Sequence, residues 1–322
     1  MQPMNYLLRL LLKYLREEPP HIVFIRVVSF LIIQIFAIYH LAKYNYELKY
    51  KNLSQFIQKE VHGSQMMIDM KDKGLCRDLY IIGSHEPYLT EWVKENLKLG
   101  MIHFDIGANI GYYALLAAHQ GCKVYAVEPV KESYELLNLN AGLNHYPDFR
   151  TFNLAIGDRN GKCKVYWGDV RNWATLIPAN VEFSNIATVP IRTLDNFITD
   201  TRWPDVVRMD VEGYEYEIIK GATNLLQSKK PLILIIEMHY YYLKEKAHEL
   251  LDSLRNNGFE VAAVFEEPYP FVENHRRVSK LLSYLYGMMG TTKGPRRMGY
   301  KELYNLKFML RQIYVEVVFQ RR

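Results

Sequence analysis

The chain is 322 residues long, 49% hydrophobic and formally +5, so it can bury a full core in one main domain with length left over for appendages. Its three cysteines, Cys76, Cys122 and Cys163, form neither a C-x-x-C pair nor an even-numbered framework. That excludes a disulfide scaffold and points to a reducing compartment, with Cys122 and Cys163 as small core residues beside strand patterns.

Ile22–Leu41 is almost wholly apolar and long enough to span a bilayer as a helix. It is not a signal peptide, because the run starts late, Arg26 and Gln34 interrupt it, and no small-residue cleavage site follows. At 100° per residue, Arg26, Ser29, Gln34 and His40 share an arc of about 140°. A helix lying in the membrane interface, or docked on a partner, suits that face better than a lipid-exposed span. Residues 1–51 are therefore read as an apolar, amphipathic helical segment that attaches the protein to the cytoplasmic face of a membrane, with a soluble docking helix as the competing reading.

The next strong signal is the run Phe104-Asp105-Ile106-Gly107-Ala108-Asn109-Ile110-Gly111-Tyr112. Met101–Phe104 supplies a strand, Tyr112–Ala118 a helix, and Gly107 and Gly111 a turn that lets a backbone approach a ligand closely. The following apolar strand, Val124–Val127, ends in Glu128, where an acid can accept both hydroxyl protons of a ribose. A dinucleotide turn reads G-x-G-x-x-G; here the pattern is D-x-G-x-x-x-G, led by Asp105. A carboxylate there repels a pyrophosphate but can orient an amino group, directly or through water. S-adenosylmethionine carries that amino group, a sulfonium and a ribose. Asp105, Gly107, Asn109, Gly111 and Glu128 are accordingly assigned to that cofactor.

The remaining elements alternate as in a doubly wound, mostly parallel α/β sheet of Rossmann-like type. Lys131–Leu143 reads as a helix, Thr151–Ala155 as a third strand closed by Gly157 and Asp158, and Lys162–Trp167 as a short hairpin arm. Val189–Arg192 leads into a turn at Asp195. Val206–Met209 is a buried strand ending at Asp210, and Ile218 to Leu226 marks a helix. Leu232–Ile236 is wholly apolar, as central parallel strands are. A helical stripe from Leu243 to Leu254 ends at Gly258, Val261–Phe265 is another strand, and Tyr314–Phe319 adds a last antiparallel one. The boundaries fall near Lys51 and Pro268, so residues 52–267 are read as the catalytic domain and 268–322 as a basic, aromatic extension expected to complete the sheet.

Ligands of open α/β sheets bind beyond the carboxyl ends of the strands. That rule collects Asp105, Glu128, Asp158, Asp210, Glu212, Glu237 and His239 on one rim. Asp158 can meet an adenine amino group, or cap its loop. Moving a methyl group from a sulfonium to an oxygen requires alignment and a nearby base. Asp210, Glu212 and His239 are the candidates, His239 because its reference pKa near 6.5 suits proton removal around neutrality. Asp210, Glu237 and His239 can together hold a divalent metal, but no spacing demands one and none is assigned. Trp173 and Thr175 are candidates for an acceptor pocket or a water-excluding lid. His103 and His119 are read as core or surface residues, and Glu86–Pro87 as structural.

The blocks Asp105–Tyr113, Val127–Asn144 (with Glu128, Pro129, Tyr134, Leu137, Asn140 and Asn144), Thr193–Asn196, Asp210–Ala222 and Glu237–His239 resemble the FkbM-type methyltransferases. The resemblance runs from about Gly63 to Phe265. It implies a class I S-adenosylmethionine-dependent fold that O-methylates a hydroxyl of a sugar or natural product. One departure is Arg208, where that family commonly has Lys before Asp-x-Glu-Gly.

From His275 to Arg322 the chain carries 11 Lys and Arg against 2 Glu. Arg276, Arg277, Lys280, Arg296 and Arg297, interleaved with Leu, Tyr and Met, suit an anionic membrane surface. No nucleic-acid reader motif accompanies them, so no nucleic acid is expected. The expected activity is O-methylation of a small-molecule or glycan acceptor such as a lipid-linked sugar. A nucleotide-binding oxidoreductase would need a third phosphate-turn glycine, and a non-catalytic binding protein would hold the cofactor without turnover.

Overall fold

The computed structural model describes residues 54–72, 74–81, 83–168, 173–178, 183–265, 299–304 and 314–322, together with 28, 39, 42–47 and 49. The expected helix over Ile22–Leu41 and the basic stretch Arg276–Arg297 lie outside the described residues, apart from residues 28 and 39. Among the described residues no helix is long and apolar enough to cross a membrane.

An antiparallel hairpin, β1 (Phe56–Val61) and β2 (Ser64–Asp69), and two helices, α1 (Leu75–Ile81) and α2 (Pro87–Asn96), precede the main sheet. The sheet begins with β3 (Ile102–Ile106), α3 (Tyr112–His119), β4 (Lys123–Val127), α4 (Lys131–Asn144) and β5 (Phe149–Phe152). An arm of β6 (Ala155–Gly157), β7 (Gly161–Trp167) and β8 (Asn185–Thr193) follows, then α5 (Leu194–Thr199), β9 (Val206–Met209), α6 (Glu215–Lys220) and α7 (Thr223–Gln227). The chain closes with β10 (Leu232–His239), α8 (Tyr240–Leu243), α9 (Lys246–Asn256), β11 (Glu260–Phe265), α10 (Tyr300–Tyr304) and β12 (Tyr314–Arg321).

The seven-stranded order is β11-β12-β10-β9-β3-β4-β5. Neighbours from β10 to β5 run parallel, and β12 runs antiparallel to both β10 and β11. β9 and β10 are apolar and buried almost throughout because helices cover both faces. One face packs on α5, α6, α7 and α9 through Phe197, Ile218, Leu225, Leu250 and Leu254. The other packs on α1 to α4 through Leu79, Leu89, Leu115 and Leu137. Each such side chain contributes about 1.5–3 kcal/mol on burial.

The expected doubly wound sheet is therefore present, with three differences of detail. Ala155 does not continue the third strand: Asn153 Nδ2 donates to the Glu128 and Pro129 carbonyls, at 2.9 and 3.1 Å, and the chain leaves the main sheet after β5. The arm is larger than a short hairpin, since β6, β8 and β7 form a separate sheet in which Val189–Arg192 belongs to β8 rather than to a lead-in. The last strand is inserted between β10 and β11, so the end of the chain lies inside the catalytic sheet.

Two of the family-like blocks serve the fold. Thr193 Oγ1 accepts from the Asn196 amide and caps α5, while the Asp195 carboxylate accepts from the Asn224 and Leu225 amides at α7. Asn140 joins β2 to the glycine turn: its Oδ1 accepts from the Met67 amide, and its Nδ2 donates to the Ile110 carbonyl.

Candidate active site

A cavity opens at the carboxyl ends of β3, β4 and β9, between the main sheet and the arm. Gly107, Asn109, Glu128, Pro129 and Asp210 line its polar side; Leu154, Ile156, Val165 and Leu176 line its apolar side. The turn is fixed by the Gly107 and Ala108 amides, which both donate to the Val127 carbonyl. Gly107 has φ 78°, and a Cβ there would meet the Asp210 carbonyl oxygen at 1.9 Å. Only glycine lets β3 and β9 deliver their loops to one point. Asn109 also adopts a left-handed conformation, φ 50°, as Asn tolerates better than most side chains.

Glu128 is 4% exposed. Its Oε2 accepts from the Asn109 amide and its Oε1 from the Val130 amide, both at 2.8 Å. Burial pushes the carboxyl up; the two amides pull back, and it lies at about 7. Each oxygen keeps a lone pair for a ligand hydroxyl, and Asn109 Oδ1 is buried with no hydrogen-bond donor. The cavity thus offers the acceptor atoms that a ribose diol and an ammonium require, which fits S-adenosylmethionine.

Behind this wall lies a cluster of buried charge centred on Arg208. Its guanidinium is 3.0 Å from Asp210, 3.4 Å from Asp105, 3.8 Å from Glu316 and 3.9 Å from Glu86, and it stacks on Tyr113 with 4.2 Å to the ring centroid. Strand register produces the cluster: Asp105 is opposite Arg208, and Glu237 is opposite Glu316. Burial opposes the charge on Arg208, but Asp210, Asp105, Glu316 and Glu86 outweigh it and hold the proton firmly. Burial, together with Asp210, Glu86 and Glu316, pushes the Glu237 carboxyl far above the usual range.

His239 closes the other side. Its Nδ1 is 2.7 Å from Glu215 Oε1 and its Nε2 is 3.2 Å from Glu212 Oε2. Burial alone would lower its pKa, but Glu212 and Glu215 outweigh burial and raise it to about 10. The reference value near 6.5 therefore does not carry over, because both ring nitrogens face carboxylates. Burial raises the Glu212 carboxyl, with His239 pulling it back. Ligating atoms of Asp210, Glu212 and His239 lie within 4.8 Å of one another, as do those of Glu86, Glu237 and Glu316. The first group could hold a divalent cation with His239 neutral.

The structure thus brings Gly107, Asn109, Glu128 and Asp210 together, with Glu212 and His239 beside them. Three assigned residues lie elsewhere. Asp105 is fully buried on Arg208 and does not line the cavity. Gly111 starts α3, where a Cβ would meet Leu137 Cδ1 at 2.7 Å, so it serves helix packing. Asp158 pairs with Arg159 at 3.1 Å and Lys220 at 3.8 Å, also off the cavity. His103 is a core residue that burial, then Arg208, lowers to about 3. Thr175 lines the cavity and its Oγ1 donates to the Glu212 carbonyl.

The roles of Glu86, Glu215 and Glu316 escaped the sequence reading. Glu316 carried a usable signal, a lone acid within the apolar strand Tyr-Val-Glu-Val-Val-Phe. Glu86 and Glu215 fall in stretches that resemble the family but carried no sign of their charge partners, because a loop acid and an acid in a helix's first turn are common.

The sheet order and the cavity at its carboxyl rim define a class I, Rossmann-like fold for a nucleoside ligand. Residues 105–261, just under half of the chain, match the methyltransferase FkbM domain. The hexuronic acid methyltransferase AglP of Haloferax volcanii is 31% identical over 142 residues, which make up 42% of this chain and 55% of AglP. The match thus spans about half of that relative. Among solved structures, the SAM-dependent methyltransferase from Agrobacterium tumefaciens is 10% identical with a TM-score of 0.42, covering 85% of this chain and 72% of its own. TYW2 of P. horikoshii in complex with MeSAdo is 12% identical with a TM-score of 0.41, covering 84% and 72%.

Proposed function

We propose that the protein transfers the methyl group of S-adenosylmethionine to a hydroxyl of a sugar, in a glycan, a lipid-linked sugar or a natural product. The observation that carries this reading is the convergence of Gly107, Asn109, Glu128 and Asp210 on one cavity. Glu128 takes the ribose diol, and the turn at Gly107 and Asn109 takes the methionine end. Asp105 acts at a distance, by holding Arg208 and hence Asp210. The acceptor oxygen lies beside Asp210 and Glu212; as the C–S bond breaks and the O–C bond forms, its proton passes to one of these carboxylates. His239 orients Glu212.

A sugar acceptor draws support from AglP, whose name specifies a hexuronic acid. Attachment to the cytoplasmic face of a membrane belongs to the same proposal and rests on the apolar run Ile22–Leu41 and the basic run after His275. Calorimetry with S-adenosylmethionine, followed by transfer of labelled methyl to a panel of saccharides, tests the activity. Binding with no transfer to any acceptor would leave a non-catalytic protein. For the membrane, fractionation of a variant lacking residues 1–51 should show reduced pelleting.

A further inference from the structure

We propose that the cleft beside β7, lined by Arg159, Lys162, Lys164, Tyr166, Leu176 and Tyr214, binds the acidic part of a saccharide acceptor. This rests on the methyltransferase reading and specifies its substrate class.

The cleft adjoins the donor cavity. Side chains alternate along β7, so Val165 faces the donor cavity while its neighbours Lys164 and Tyr166 face the cleft. Leu176 lines both, and the Tyr166 and Thr175 backbones exchange two hydrogen bonds at 2.9 Å, which fixes the divide between them. A molecule lying over Leu176 reaches both compartments.

The two compartments differ in the cations they present. Beside the donor cavity stand Asp210, Glu212, Glu215 and Glu237, with Arg208 and His239 as their nearest cations. In the cleft, Lys162 and Lys164 are exposed and have no carboxylate partner among the described residues, while Arg159 is held by Asp158 at 3.1 Å. Arg208 and His239 are engaged by these acids, whereas the cleft presents exposed lysines, so an anionic group on the acceptor is drawn to the cleft and leaves its hydroxyl toward Asp210. Two tyrosines, Tyr166 and Tyr214, give the cleft the amphipathic faces on which a sugar ring packs. Exposed lysines contribute little binding energy each, so their effect is discrimination and orientation rather than high affinity.

The test is calorimetry on the full-length protein with tetrasaccharides of glucuronate and of galacturonate, each compared with its carboxyl-reduced neutral form, at low and high salt. At least one acidic form should bind about tenfold tighter than its neutral counterpart at low salt, a difference that salt erodes. Lys162→Glu/Lys164→Glu should abolish that preference while leaving S-adenosylmethionine affinity unchanged, which also shows that the variant is folded. Equal binding of acidic and neutral forms, no binding of either, or a preference that survives the double substitution would overturn the proposal. Should the protein fail to bind S-adenosylmethionine, the methyltransferase reading falls, whatever the saccharides do.

Discussion

The Asn109 amide donates to Glu128 Oε2 at 2.8 Å, which locks the glycine turn after β3 to the acid that ends β4. Both halves of the cofactor cavity are thereby set before any ligand arrives, and Glu128 pays with a pKa of about 7 against an ordinary 4.5. The sign follows directly. Between these values the native state keeps a proton that the unfolded chain has released, so stability falls as pH rises through that window, by about 3 kcal/mol. Glu128→Gln should flatten the difference in urea midpoints between about pH 5 and pH 8. The same variant should bind S-adenosylmethionine at least about tenfold more weakly, because a neutral amide no longer accepts two ribose hydroxyls.

Gly107→Ala puts a methyl 1.9 Å from the Asp210 carbonyl oxygen at a φ of 78°. That contact is backbone on both sides and cannot swing away. The loss should exceed about 3 kcal/mol, the range of strained or overpacked substitutions, and urea denaturation should show it. Gly100→Ala is the control for the backbone term. Its φ is 87°, but no atom lies within 4 Å of the added methyl, so it should lose about 1 kcal/mol.

The order of strands, the glycine turn and Glu128 were legible in the sequence because each leaves a local mark: an apolar run, a pair of glycines, an acid at a strand end. The charge cluster was not legible, since it arises from register. Asp105 looked like a cofactor ligand from its place before the turn, but Arg208 on the neighbouring strand meets it in the interior. His239 looked like a base from its reference pKa, and only the fold brings Glu212 and Glu215 to its two nitrogens. The arm was underestimated because its pairing joins β7 to a strand eighteen residues further along the chain.

Arg208 is surrounded by Glu86, Asp105, Asp210 and Glu316, so its removal leaves several buried acids without their cation. Breaking a buried pair in this way costs about 3–5 kcal/mol. Arg208→Met should be unfolded or strongly destabilised at neutral pH and should recover as pH falls and the acids take up protons, where thermal melts would show the gap to wild type closing. Arg208→Lys keeps the charge but loses the fork that reaches two acids and the stacking on Tyr113, so it should fall between the two. Asp105→Asn removes one acid from a cluster rich in them and should be the mildest of the three.

His239 supplies the sharpest test of the reactive end. With Glu215 2.7 Å from Nδ1 and Glu212 3.2 Å from Nε2, both ring nitrogens face acceptors, and its pKa is raised to about 10 from an ordinary 6.5. The stability this ion pairing contributes is fully present below the unfolded pKa and is lost as pH rises through about 10. Nitrogen NMR of the full-length protein should therefore show a doubly protonated ring at about pH 8, with Glu212→Gln shifting its titration downward. The methyl-transfer rate should rise with loss of a proton from a carboxylate, and His239→Gln should alter the midpoint of that profile rather than abolish it. A neutral ring at about pH 8 would restore His239 as the base and make Glu212 its orienting partner instead.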